Sequence, residues 1–226
     1  GGGHVPKPGQ VSLAHNGVLF LDELPEFRKN VLEVLRQPME EGMVTISRAR
    51  STISYPANFM LVAAMNPCAC GFFGDAKREC TCSLTQIQRY RSRISGPLLD
   101  RIDIHIEVPA VAYRELSDDS GGRSSSEMRK AVLKARAVQK ERLASAGIFT
   151  NARMGSRHIY TFCAIDNESH VLLEKAMDRF GLSARAHARV LKIARTIADL
   201  EGSESIRAPH VAEAIQYRTL DRKLNT

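Results

Sequence analysis

Asp22 and Glu23 stand side by side at the end of the apolar run in GVLFLDELPEF, and their types and spacing suggest chemistry. Ionised carboxylates are costly to take out of water unless a cation compensates them. At the C-terminal end of a strand, followed at once by a proline and a helix, the pair is expected to form part of a metal or phosphate ligand site. The alternative is a solvated strand end. A second cluster lies in CACGFFGDAKRECTC, where Cys68, Cys70, Cys80 and Cys82 form two Cys-x-Cys pairs separated by nine residues. Four soft ligands from one compact loop suit tetrahedral Zn2+, and with all four positions filled such a metal would be structural. The pairs are tighter than the usual spacing of structural zinc sites, and disulfides or free thiols are the competing readings. A reducing compartment disfavours the disulfides. Cys163, in IYTFCAI, reads as a small core residue, and the histidines show no ligand spacing with one another or with the quartet.

The elements that must position these residues follow from periodicity. Val18–Leu21 and residues 59–66 (FMLVAAMN) are continuous apolar runs, as expected of strands covered on both faces. Phe27, Val31, Val34/Leu35 and Met39 recur at helical spacing, which predicts one amphipathic helix over 26–41, disturbed near Pro38 and ended by Gly42. MVTIS and STISY flank Arg48-Ala49-Arg50 as a hairpin with a basic tip. A basic helix is expected over 84–94, then a Gly-Pro break and an alternating strand over 101–108 (RIDIHIEV). This order is an α/β pattern with a mainly parallel sheet. Composition turns polar at SDDSGGRSSS, and beyond it helices are expected over about 126–145, 156–164, 167–180, 183–200 and 208–218. The expected organisation is residues 1–112 as an α/β piece, 113–125 as a linker and 126–226 as an all-α domain.

The chain has 226 residues and a net charge of +7, unevenly spread. Residues 1–112 carry 12 Lys and Arg against 11 Asp and Glu, and residues 113–226 carry 20 against 14. A basic half is compatible with nucleic acid, although Arg-rich helices occur without it. No apolar stretch is long enough to span a bilayer and the first residues do not form a signal peptide, so a cytoplasmic protein without membrane contact is expected.

A strand ending in Asp-Glu is the Walker B pattern. Asp22 would help hold Mg2+ and Glu23 would polarise an attacking water. Asn66, ending the second buried run, could orient that water, or could merely open the Asn-Pro turn. Arg101, in GPLLDRIDI, could reach a γ-phosphate in a neighbouring subunit, or could pair with Asp100 or Asp103. Arg185, in the first turn of the helix opened by Ser183, could close over a nucleotide, or could be a solvated charge on a basic helix.

Taken together and in this order, LFLDE, AAMNP, SGPLLDRID and LSARAHARVLKIARTIADL resemble the magnesium-chelatase-like branch of the AAA+ ATPases, and more closely its bacterial ComM/YifB-type members. The resemblance covers essentially the whole chain. It implies a partial AAA+ core followed by an all-α lid, with ATP and Mg2+ as cofactors. Asp22 and Glu23 would be Walker B, Asn66 sensor 1, Arg101 the arginine finger and Arg185 sensor 2, with Arg189 the alternative for the last role. It implies a ring-shaped homo-oligomer, a hexamer, and a pore-facing hairpin over 43–55 whose Arg48 and Arg50 would contact the DNA backbone; a solvated hairpin tip is the alternative. The ComM-like branch implies DNA translocation or branch migration. Competing expectations are the ATPase subunit of a magnesium chelatase and a non-enzymatic, zinc-stabilised DNA-binding module. One departure stands out: no G-x-x-x-x-G-K-[ST] phosphate loop occurs in the chain. The chain is therefore expected to be the C-terminal part of a longer protein, binding ATP poorly and hydrolysing almost none by itself.

Overall fold

The computed structural model describes residues 6–48, 51–75, 77–109, 111 and 122–218. The described residues form two compact units that divide between Ile102 and Asp103. The polar stretch expected as a linker lies mostly outside the described residues.

In the first unit, α1 (Gln10–Leu13) precedes β1 (Val18–Leu21). A 3-10 turn, Leu24–Glu26, carries Pro25 in its first turn, where a missing N–H costs nothing. Next come α2 (Lys29–Val34), α3 (Arg36–Glu41), β2 (Met43–Arg48), β3 (Ser51–Pro56) and β4 (Met60–Ala63). Helices α4 (Leu84–Arg91) and α5 (Gly96–Leu99) follow, each opened by a serine whose side chain accepts an N–H of the first turn. β1 and β4 pair in parallel with Leu21 opposite Ala63, and β2 and β3 form the expected antiparallel hairpin. Leu24, Leu32, Leu35, Ile94, Leu98 and Leu99 make the core of this unit.

Four expectations are corrected here. The single helix over 26–41 is broken at Leu35, because Pro38 has no N–H for the Val34 carbonyl. Its buried face is Leu32 and Leu35, while Val31 and Val34 are exposed. The second apolar run is a strand only over Met60–Ala63, leaving Asn66 three residues beyond it. Neither parallel strand is covered on both faces: Val18, Phe20, Met60 and Val62 are exposed, Phe20 at 58%. Residues 101–108 form no strand. Their alternation suits a pleat, but no ladder partner joins them among the described residues, and the His105 N–H donates instead to the Tyr217 carbonyl.

The second unit is helical, as expected: α6 (Ser125–Leu143), α7 (Ser156–Phe162), α8 (Asn167–Phe180), α9 (Ala184–Glu201) and α10 (Ala208–Gln216). Ser124 and Ser183 cap α6 and α9 through their hydroxyls, and Gly181 ends α8 with φ +61°, a conformation glycine adopts without a Cβ clash. Its core runs through Leu143, Met154, Leu173, Val190, Ala194 and Val211, with Cys163 among them as expected. Burial pushes the Cys163 thiol up to about 11, so it stays an inert apolar group. No helix among the described residues is long and apolar enough to cross a membrane.

Candidate functional site

The parallel pairing of β1 with β4 brings two chain ends to one edge of the sheet. The Ala64 N–H donates to the Leu21 carbonyl, and the Leu24 N–H donates back to the Ala64 carbonyl, both at 2.9 Å. Between those bonds the chain must turn within Asp22 and Glu23. Asp22 Oδ1 accepts the Glu23 N–H at 2.8 Å, and Glu23 takes a left-handed backbone, φ 51° and ψ 46°. That conformation costs a residue with a Cβ about 1–2 kcal/mol. Both carboxylates are exposed, as is Asn66, which leaves β4 at the same edge. Two acids and a neutral amide thus stand in solvent at adjoining strand ends. This arrangement can present anionic oxygen to a hydrated cation and an amide to a water.

Tyr90 was not singled out from the sequence. Its ring is buried in α4, and burial, with the charge of Glu26, pushes its phenol up against the opposing pull of the Asn66 backbone N–H. A tyrosine between three arginines in QIQRYRSR was the available signal, obscured by the basic character of the segment.

Arg101 follows α5. It is 9% exposed, ion-paired with Glu40 at 2.7 Å, and Nη1 donates to the Pro97 carbonyl at 2.6 Å. Asp103 pairs with Arg189. Glu40 was missed because it stands sixty-one residues before Arg101 and carries no motif of its own. Arg185 is exposed in the first turn of α9, while Arg189, one turn on, is engaged by Asp103. Asp22, Glu23, Asn66 and Arg101 belong to the first unit and Arg185 to the second.

The four cysteines converge. Their Sγ atoms all lie within 4.8 Å of one another, with Cys68–Cys70 at 3.3 Å, Cys70–Cys80 at 3.6 Å and Cys68–Cys80 at 3.7 Å. A tetrahedron with metal–sulfur bonds of about 2.3 Å has edges of about 3.8 Å, so the donor set fits zinc. Gly71 makes the turn after Cys70 with φ +85°. The backbone around this turn donates to sulfur: the Phe72 N–H, aided by Thr81, holds Cys70 down to about 5 against its burial. The Cys82 N–H likewise pulls Cys80 down, but burial and the sulfurs of Cys70 and Cys68 push harder and leave it up at about 12. Amides aimed at sulfur favour thiolate, the form a metal binds.

In the hairpin, Arg48 ends β2 opposite Ser51, and Thr45 and Ser54 hydroxyls meet across the strands at 3.0 Å. The Arg48 side chain and all of Arg50 lie outside the described residues.

Comparison with known proteins bears on the whole chain. The family model for magnesium chelatase, subunit ChlI, matches residues 1–116, and the model for its C-terminal part matches residues 122–218. Competence protein ComM of Haemophilus influenzae is 48% identical over 225 residues, which is 99% of this chain and 43% of that protein. The uncharacterised protein YifB of Escherichia coli is 45% identical over the same share of each. The chloroplastic magnesium-chelatase subunit ChlI of Glycine max is 22% identical over 92% of this chain. The chain spans less than half the length of these relatives.

Proposed function

This chain belongs to the magnesium chelatase ChlI family, and on that premise we propose that it is part of an AAA+ ATPase whose Mg2+-dependent ATP hydrolysis drives movement along DNA. The observation that carries the reading is the pairing of β1 with β4, which sets exposed Asp22 and Glu23 beside the strand that leads to Asn66. In this reading Asp22 holds Mg2+ through its waters, Glu23 is the general base and Asn66 orients the attacking water. Residues 1–112 are the core piece, 113–125 the linker and 126–226 the lid, with Arg185 closing over the nucleotide. Backbone amides and a lysine of a phosphate loop, a pattern this chain lacks, supply β- and γ-phosphate binding in the longer protein.

Arg101 is the arginine finger. In a ring, a hexamer in this reading, it exchanges Glu40 for the γ-phosphate of the adjoining subunit, a planar fork of donors suiting either partner. Arg48 and Arg50 at the hairpin tip contact the DNA backbone from the pore. The Cys68, Cys70, Cys80 and Cys82 quartet holds a structural zinc, supported by its converging sulfurs and the amides aimed at them. The protein is cytoplasmic. The 48% identity to a competence protein supports DNA as the substrate. The ChlI family name supports a second reading, the ATPase subunit of a chelatase acting through a porphyrin-binding partner.

The deciding test is ATP turnover by the longer protein with no DNA, duplex DNA and four-way-branched DNA. Glu23→Gln is expected to lower turnover by about 10²- to 10⁴-fold, and DNA to raise it several-fold. Turnover indifferent to every DNA would favour the chelatase reading; turnover indifferent to Glu23→Gln would remove the base. Metal analysis should find about one zinc per chain, lost in Cys68→Ser.

A further inference from the structure

We infer that Arg91 and Arg93 are positioning residues for the site proposed above, two guanidiniums at one helix end that fix the backbone beside Asn66 and beside Glu23. The inference rests on that reading of the site as hydrolytic. The sequence marks residues 84–94 as a basic helix. The geometry assigns two of its arginines elsewhere.

Arg91 Nε donates to the Pro67 carbonyl at 3.1 Å, and Pro67 is the residue directly after Asn66. Arg93 Nη1 donates to the Pro25 carbonyl at 3.2 Å and pairs with Glu26 at 2.9 Å, in the turn directly after Glu23. A proline has no N–H, so its carbonyl is the one backbone group through which it can be held by a hydrogen bond. Both anchor points therefore sit where the chain has least means of fixing itself. Arg91 is the last residue of α4 and Arg93 lies in the turn directly after it, so the two strand ends share one reference. Tyr90, directly before Arg91, adds a buried phenol facing the Asn66 N–H, and the Arg93 guanidinium lies 5.9 Å from its ring centre.

The clamp has its own support. The Arg91 guanidinium lies 5.1 Å from the ring centre of Phe73, in the loop between the two Cys-x-Cys pairs. A planar cation so stacked loses freedom to swing toward solvent. The cysteine loop thereby helps to aim Arg91 at the backbone next to Asn66, which gives a structural metal there a route to the site without touching nucleotide.

Glu23 gains from such a clamp more than most residues would. Its left-handed backbone is held only because the structure on both sides over-determines it. A misplacement of about 1 Å in a catalytic group can cost up to about a hundredfold in rate.

The test uses the longer protein, with Arg91→Ala, Arg91→Lys and Arg93→Ala assayed without DNA. Each alanine variant is expected to lower kcat by roughly 10- to 100-fold while KM for ATP stays within about twofold. Arg91→Lys, which keeps the charge and loses the fork and the stack, falls between. Arg91→Ala added to Asn66→Ala should slow turnover no further, since both act through Asn66. Amide hydrogen exchange gives a readout apart from activity: Arg91→Ala should speed exchange at residues 64–68 and leave 24–27 unchanged, and Arg93→Ala should do the reverse. Unchanged turnover without DNA, with loss only of the DNA-stimulated rate, would overturn the inference and return these arginines to a nucleic-acid surface. Additive losses with Asn66→Ala, or exchange unaltered at both segments, would overturn it equally. If Glu23→Gln leaves turnover intact, the hydrolytic reading itself fails, and the exchange pattern alone decides whether the clamp exists.

Discussion

Asp22 and Asp199 are both carboxylates that follow apolar sequence, yet the first is exposed at a strand end and the second is sealed inside the helical unit. Asp199 accepts both Nη1 and Nη2 of Arg142 at 2.7 Å, Asn151 Nδ2 at 2.8 Å and Arg195 Nε at 3.0 Å. Arg195 spends its remaining donors on the Ser203 and Glu204 carbonyls, and the Asn151 N–H is taken by Gln139. The contrast extends to apolar groups. Leu173 and Val190 are buried, whereas Val18, Phe20, Met60 and Val62 leave much of their surface in water. The helical unit closes this charge network and its central core within itself, while Phe149 and Tyr160 at its surface stay exposed. The other leaves carboxylates, an amide and a sheet face open to whatever can satisfy them. Open groups of this kind are available to a ligand; closed ones are consumed by the fold.

The sharpest way to break this comparison is Asp199→Asn. It leaves Arg142 and Arg195 with no carboxylate, and breaking a buried pair from one side costs about 3–5 kcal/mol. Denaturant unfolding followed by circular dichroism measures it; a loss below about 1 kcal/mol would mean the network is not closed as described. The same residue sets a pH dependence. Burial pushes its carboxyl up, but the Arg142 and Asn151 hydrogen bonds and the two guanidiniums outweigh burial and leave it below its ordinary 3.8. A carboxyl so depressed contributes stability that is present above that value and is lost as pH falls through the lowered one. The difference between the native chain and Asp199→Asn should hold steady from neutral pH down and shrink only below pH 3.8.

Next in size is a matched pair of apolar truncations. Leu173→Ala should cost about 2–5 kcal/mol, and Phe20→Ser in this chain less than about 1 kcal/mol. Equal losses would show that the sheet face is covered after all. The smallest effect is expected at Glu23→Gly. Glycine relieves the left-handed backbone but is freer when unfolded, so stability should rise by no more than about 1 kcal/mol. Turnover by the longer protein should nonetheless collapse. A clear loss of stability would show that the Glu23 side chain serves the fold.

Much of the fold was legible because short-range rules act on it. Ser183 caps its helix through a local bond of its own hydroxyl, and Gly42 and Gly181 end helices because φ is positive there. The cysteine quartet was legible because its ligands lie in one loop. Less legible were effects needing a distant partner. The alternation in residues 101–108 specifies a pleat but not a neighbouring strand, and the Arg101 ion pair reaches back to Glu40, far off in sequence. Arg91 and Arg93 read as surface charge because their acceptors are carbonyls of Pro67 and Pro25, which carry no sequence signature.

The sequence alone determined which residues could do chemistry, where most helices begin and end, and that two strands run in parallel. Those depend on side-chain type and on periods of 2 or 3.6 residues. Tertiary structure alone decided which faces stay open, which arginines are spent on the fold, and that Glu23 sits strained beside Asn66's strand. Burial and long-range hydrogen bonds depend on which segments meet in space, and nothing in the spacing of one segment encodes its partner.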